Sequence, residues 1–78
     1  MKKPIELANE LATYGLFGAG KDSSPELKEF GADCLEAAVL LLKTSKRKRL
    51  RVSGQFLGTE TLATLARGLR YEAEDLRK

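Results

Sequence analysis

The chain lacks histidine and tryptophan altogether, and it has one cysteine, Cys34, in 78 residues. No cysteine pair means no disulfide scaffold within the chain, and the missing histidine removes Cys/His metal sites. Ser-His-Asp and Cys-His nucleophile pairs go with them, because their general base is absent. A lone cysteine fits a reducing, cytoplasmic setting. Cys34 sits in FGADCLEAAVLLL, where a small buried side chain is the ordinary role. Aromatics are few, three Phe and two Tyr. A core of Leu, Ala and Val at this length gives limited stability, so self-association as a homo-oligomer is expected. No run of eighteen apolar residues exists, so no membrane partner is expected. The segment MKKPIELANEL has the lysines of a signal peptide, but Glu6, Asn9 and Glu10 stand where its apolar stretch belongs.

What is present is uneven charge. KTSKRKRLR, from Lys43 to Arg51, holds six of the fourteen bases and no acid. The remaining eight bases face eleven acids. An acidic small protein thus carries one concentrated basic segment.

Three helices are expected. Leu7, Ala8, Leu11 and Tyr14 repeat at helical spacing after Pro4, predicting a helix over 4–14. Gly15 stands where a left-handed cap would end it. Residues 15–24, GLFGAGKDSS, read as a loop. Ser24-Pro25-Glu26 starts a second helix, with Ser23 and Glu26 as an alternative capping box. Its stripe is Leu27, Phe30, Cys34, Ala38, Leu41 and Leu42. CLEAAVLLL is apolar on nearly all sides, so this helix, over 25–45 or longer, is the central element. The next stretch is ambiguous: the helix continues through the basic run, or KRLRV is a short extended piece with Leu50 and Val52 alternating with charge. SGQFLG reads as a turn with exposed Phe56 and Leu57. Thr59 or Thr61 would cap a third helix over 60–76. Leu62, Ala66, Leu69, Ala73 and Leu76 form its apolar seam, which either packs on the second helix or joins copies of the chain. The expected fold is all-α: one domain, a small three-helix bundle with a long central helix, with an intertwined oligomer as an option.

Gly15, Gly20 and Lys21 match the G-x-x-x-x-G-K spacing of a phosphate-cradling P-loop. That loop needs a preceding strand, and a hydroxyl after the lysine to bind Mg²⁺. Here a helix precedes it and Asp22 follows. Seventy-eight residues of this pattern cannot build the parallel sheet either, so a nucleotide hydrolase is rejected. An anion at the start of the second helix is disfavoured, because Asp22 and Glu26 already occupy that positive end. A helix-turn-helix is disfavoured by the long link between helices two and three. The acid clusters (Glu26, Glu29, Asp33 and Glu36, and Glu72, Glu74 and Asp75) suggest no pocket, so no enzyme and no cofactor are expected.

The basic run is the candidate site: Lys43, Lys46, Arg47, Lys48, Arg49 and Arg51. Two or three cations would satisfy a helix C-terminus, and six are present. Six cations can neutralise several phosphates in a salt-dependent, largely sequence-blind way. Nucleic acid, or a nucleotide-like ligand, is the first expectation. No aromatic is interleaved in the run, which argues against stacking on single strands. The runner-up is a protein-binding inhibitor or adaptor that occludes a host protein, using Phe56 and Leu57. In general appearance the chain is like the accessory and anti-defence proteins of phages and mobile elements, a likeness of class that transfers no functional position. A structural assembly subunit is the third expectation, its candidate interface the Leu62, Ala66, Leu69, Ala73 and Leu76 seam.

Overall fold

The computed structural model describes residues 3–21 and 23–78. Helix α1 runs Pro4–Thr13, α2 Pro25–Thr44 and α3 Thr59–Leu76, with strands β1 (Arg49–Val52) and β2 (Gln55–Gly58) between α2 and α3. The three helices and the long central one are as expected, and α2 packs against both α1 and α3. The expectation of an all-α chain misses the hairpin.

The apolar residues explain the arrangement. Leu35 and Leu42 of α2 are fully buried, with Ala32 and Ala38 beside them. Ala8 and Ala12 of α1 and Leu62, Ala66 and Ala73 of α3 close on them from two sides. Alanine at the contact lets helix axes approach closely. Leu50 and Val52 of β1 join the same core, so the hairpin is docked rather than free.

The segment after α1 is where the sequence reading fails most clearly. Gly15 is not in the left-handed region, because Gly54 is the only described glycine with positive φ. Tyr14–Gly18 instead forms a π-helical turn, with the Ala19 N–H donating to the Tyr14 carbonyl, and Ala19–Lys21 a 3₁₀ turn. The glycines serve close packing. A Cβ on Gly15 would lie 2.7 Å from the Gly31 carbonyl oxygen, and one on Gly31 would lie 2.9 Å from the Gly20 backbone. A Cβ on Gly20 would overlap the Gly15 carbonyl. Gly15, Gly20 and Gly31 are all buried, so this backbone is pressed onto α2 rather than opened to a phosphate. Asp22, Met1 and Lys2, which entered the P-loop and signal-peptide readings, lie outside the described residues.

The helix starts differ in detail. Ser24 takes the N-cap position of α2, but its hydroxyl donates to the Glu26 carboxylate at 2.8 Å. That bond, followed by backbone hydrogen bonding, holds the Glu26 carboxyl below its ordinary pKa. Gly58, not Thr59 or Thr61, is the N-cap residue of α3.

Candidate functional site

The six bases of the run lie on three successive pieces of backbone. Lys43 is in the last turn of α2, where a cation favours the helix dipole. The helix then closes with a Schellman arrangement. The Lys46 N–H donates to the Lys43 carbonyl at 3.0 Å and the Arg47 N–H to the Leu42 carbonyl at 3.1 Å. This puts Lys46 at φ 58°, a left-handed position where glycine is the unstrained residue. Helix α2 therefore does not continue through the basic run. Arg47 and Lys48 lead into β1, which carries Arg49 and Arg51.

The hairpin orders the last two charges. Its two-residue turn, Ser53-Gly54, has φ 50° and 81°, the pattern of a type I′ turn that matches strand twist. The pairing is antiparallel with Arg49 opposite Gly58, Leu50 opposite Leu57, Arg51 opposite Phe56 and Val52 opposite Gln55. Directly opposed residues share a face. Leu50 and Val52, each 2 % exposed, turn inward. Arg49, Arg51 and Phe56 therefore share the outward face. Phe56 is 65 % exposed, and the Arg51 guanidinium carbon lies 5.9 Å from its ring centroid. The Asn9 side-chain amide of α1 donates to the Arg51 carbonyl and pins the strand edge.

The sequence reading thus missed an aromatic on the basic face. Phe56 is five residues from Arg51 in the chain, but the two are equidistant from Ser53-Gly54. Counting outward from that dipeptide would have paired them. Leu57, its neighbour, is half-buried and packs on the core.

The remaining charges behave differently. Arg70 of α3 reaches both Asp33, at 2.6 Å, and Glu36 of α2. Lys28 pairs with Glu72 at 2.9 Å, and Arg77 pairs with Glu29. Bonding to Glu36 and then Asp33 raises the Arg70 pKa, and Glu29 does the same for Arg77. Among the described residues, none of Lys43, Lys46, Arg47, Lys48, Arg49 and Arg51 makes an ion pair. All six are exposed.

The seam residues Leu62, Ala66 and Ala73 are fully buried within one chain, against α2. Leu69 is half-buried on the same core and Leu76 is about half exposed. A cavity of about 370 Å³ lies at the other end of α2, lined by Lys21, Ser23, Lys28, Glu72, Asp75 and Leu76. Its mixed charge favours no anion. Cys34 is buried, and burial, then the Asp33 carboxylate, raises its thiol pKa, which makes it a poor nucleophile. Among the described residues no cluster of three metal-ligating side chains forms, and no helix is long and apolar enough to cross a membrane.

No family model matches the chain, and neither the curated proteins nor the solved structures give a match.

Proposed function

We propose that this is a non-enzymatic binding protein whose basic segment engages nucleic acid. The observation that carries the reading is the segregation of charge. Acids of α2 and α3 pair with bases outside the run, while the six cations of Lys43–Arg51 stay exposed and unpaired. Unpaired like charges held together repel one another, and an anionic polymer relieves that repulsion with release of its own counterions. A polymer fits better than a single nucleotide, because the cations spread over an open surface. The cavity lies at the opposite end of α2, whose 20 residues span roughly 30 Å.

The test is binding of labelled oligonucleotides by fluorescence anisotropy across a salt series, with the wild type and an Arg47→Ala/Lys48→Ala/Arg49→Ala variant. Affinity should fall linearly with salt on logarithmic axes, and the variant should bind weakly with a shallower slope. Absence of binding by the wild type in low salt would reject the reading.

A second reading, a protein-binding inhibitor or adaptor, has one specific observation behind it. Tyr14 and Phe30, each about half exposed, meet edge-to-face with ring centroids 5.8 Å apart, at the end of the molecule away from the basic run. Exposed aromatics of this kind suit a protein partner or a second copy of the chain. A Tyr14→Ser/Phe30→Ser variant that loses a captured partner, or halves the solution mass by light scattering, would favour it. Under the nucleic-acid reading that variant binds oligonucleotides as the wild type does.

A further inference from the structure

We propose that the ligand is a single strand, with one base stacked on Phe56 while Arg49 and Arg51 hold its phosphates. The inference rests on the nucleic-acid reading above and names the class of nucleic acid. Three observations carry it.

First, register places Phe56 beside the charges. It is the partner of Arg51 across the hairpin and shares the outward face with Arg49 and Arg51. A basic strand with an aromatic ring on the same face is the combination that tracks a backbone and stacks its bases. Arg49 and Arg51 are two residues apart, about 6.6 Å along a strand. That is comparable to the distance between successive phosphates of an extended single strand.

Second, the ring has no structural task that explains its place. It is 65 % exposed and is absent from the core, which takes Leu50, Val52 and Leu57 from the same hairpin. The backbone that carries the ring is nevertheless anchored. Leu50 and Val52 are buried on the inner face of the hairpin, and Asn9 bonds the carbonyl of Arg51. With the strand already ordered, stacking a base costs only the ordering of the ring itself.

Third, the shape of the element disfavours a duplex. A two-stranded ribbon that reads the major groove must enter it. Here the hairpin is packed on α1 through β1 and on α3 through β2, with Leu50 and Val52 in the core, so only the outward face is available. In a duplex the faces of the bases are covered by their neighbours, and Phe has no hydrogen-bonding group to read their edges. An unpaired base offers its face.

The experiment compares three labelled probes of equal length: oligothymidylate, the same strand with abasic sugars at every position, and a mixed-sequence duplex. Wild type, Phe56→Ala, Phe56→Leu and Phe56→Trp are measured on each. The wild type should favour oligothymidylate over the duplex, and over the abasic strand by roughly 5- to 150-fold, the span of one base stacked on one ring. Phe56→Ala and Phe56→Leu should bind oligothymidylate and abasic strand alike, with melting temperatures near wild type because the ring is exposed. Phe56→Trp should retain the preference. It also supplies the chain's only tryptophan, whose fluorescence should be quenched by oligothymidylate and not by the abasic strand. Duplex binding as tight as single-strand binding, or a Phe56→Ala variant that still distinguishes bases from abasic sugars, overturns the inference. If the probes bind in a manner that depends on Arg47, Lys48 and Arg49 but not on Phe56, the electrostatic reading stands and the single-strand inference falls. If none binds in low salt, both fall.

Discussion

The two ends of α2 treat charge in opposite ways. Toward its start, Lys28, Glu29, Asp33 and Glu36 face α3 and find Glu72, Arg77 and Arg70. Toward its end, Lys43 opens a run of six cations with no carboxylate partner among the described residues. The first region uses its charge internally to align two helices. The second leaves its charge exposed and, among the described residues, without an ion pair. Aromatics differ in a similar way: Tyr14 and Phe30 meet each other edge-to-face, whereas the Phe56 ring lies beside the guanidinium of Arg51. Composition alone, at net +3, hides this contrast.

The largest expected effect breaks the closed end outright. Gly20→Ala drives a Cβ into the Gly15 carbonyl, a backbone atom that no rotamer change can move aside. Destabilisation of about 3 kcal/mol or more is expected, at or beyond the upper end for overpacking, and denaturant unfolding measures it. A variant as stable as wild type would show that the glycine contact is not needed.

Next in size is the loss at the open end. Arg47→Ala/Lys48→Ala/Arg49→Ala should weaken nucleic-acid binding by about 100-fold at moderate salt, with melting unchanged, because these side chains support no packing. Arg70→Ala is its counterpart at the closed end. It strands Asp33 and Glu36, but the group is more than a third exposed, so the cost is about 1 kcal/mol or less by thermal melting. Nucleic-acid affinity should not change. A large affinity change with Arg70→Ala would erase the distinction between the two ends.

Lys46→Gly sharpens the contrast because two readouts should move in opposite directions. Glycine relieves the left-handed strain at φ 58°, raising stability by about 1 kcal/mol, while the lost cation lowers affinity a few-fold. The smallest effect concerns Glu26. Its folded pKa lies below its unfolded one, so its contribution is present above the unfolded pKa and fades as pH falls through the folded value. The group is fully exposed, so Glu26→Gln should lose only a slight part of the wild type's stability at neutral pH. The two melting curves should converge in acid.

The helices were legible because their apolar residues repeat over many turns. Cys34, Ala38 and Leu42, and Leu62 and Ala66, bury as their spacing predicts. Leu27 and Phe30 of the expected stripe are exposed, because they precede the part of α2 covered on both sides, and Leu35, outside that stripe, is fully buried. The hairpin was only half legible. Leu50 and Val52 alternate with charge, but four-residue strands give a short signal, and Ser-Gly is a weaker turn marker than Asn-Gly. Reading Gly15 as a helix cap failed for a different reason. A glycine after a helix is most often a left-handed cap, whereas this one is needed by Gly31, sixteen residues further on. No local pattern carries that contact. The charges of the basic run were visible at once, but their unpaired state was not, since it depends on which acids α3 brings to α2. Phe56 was visible as an exposed residue, and only strand register joins it to Arg51.

The central claim is that the Lys43–Arg51 segment engages nucleic acid through its charge. The most direct test is the affinity of the full chain for a labelled oligothymidylate between about 50 and 200 mM salt. A straight line on logarithmic axes is expected, with a slope of about −0.7 per phosphate neutralised, and a slope reduced by about 2 in Arg47→Ala/Lys48→Ala/Arg49→Ala. A wild-type affinity that is undetectable at the lowest salt, or a slope that the triple variant leaves unchanged, would contradict it.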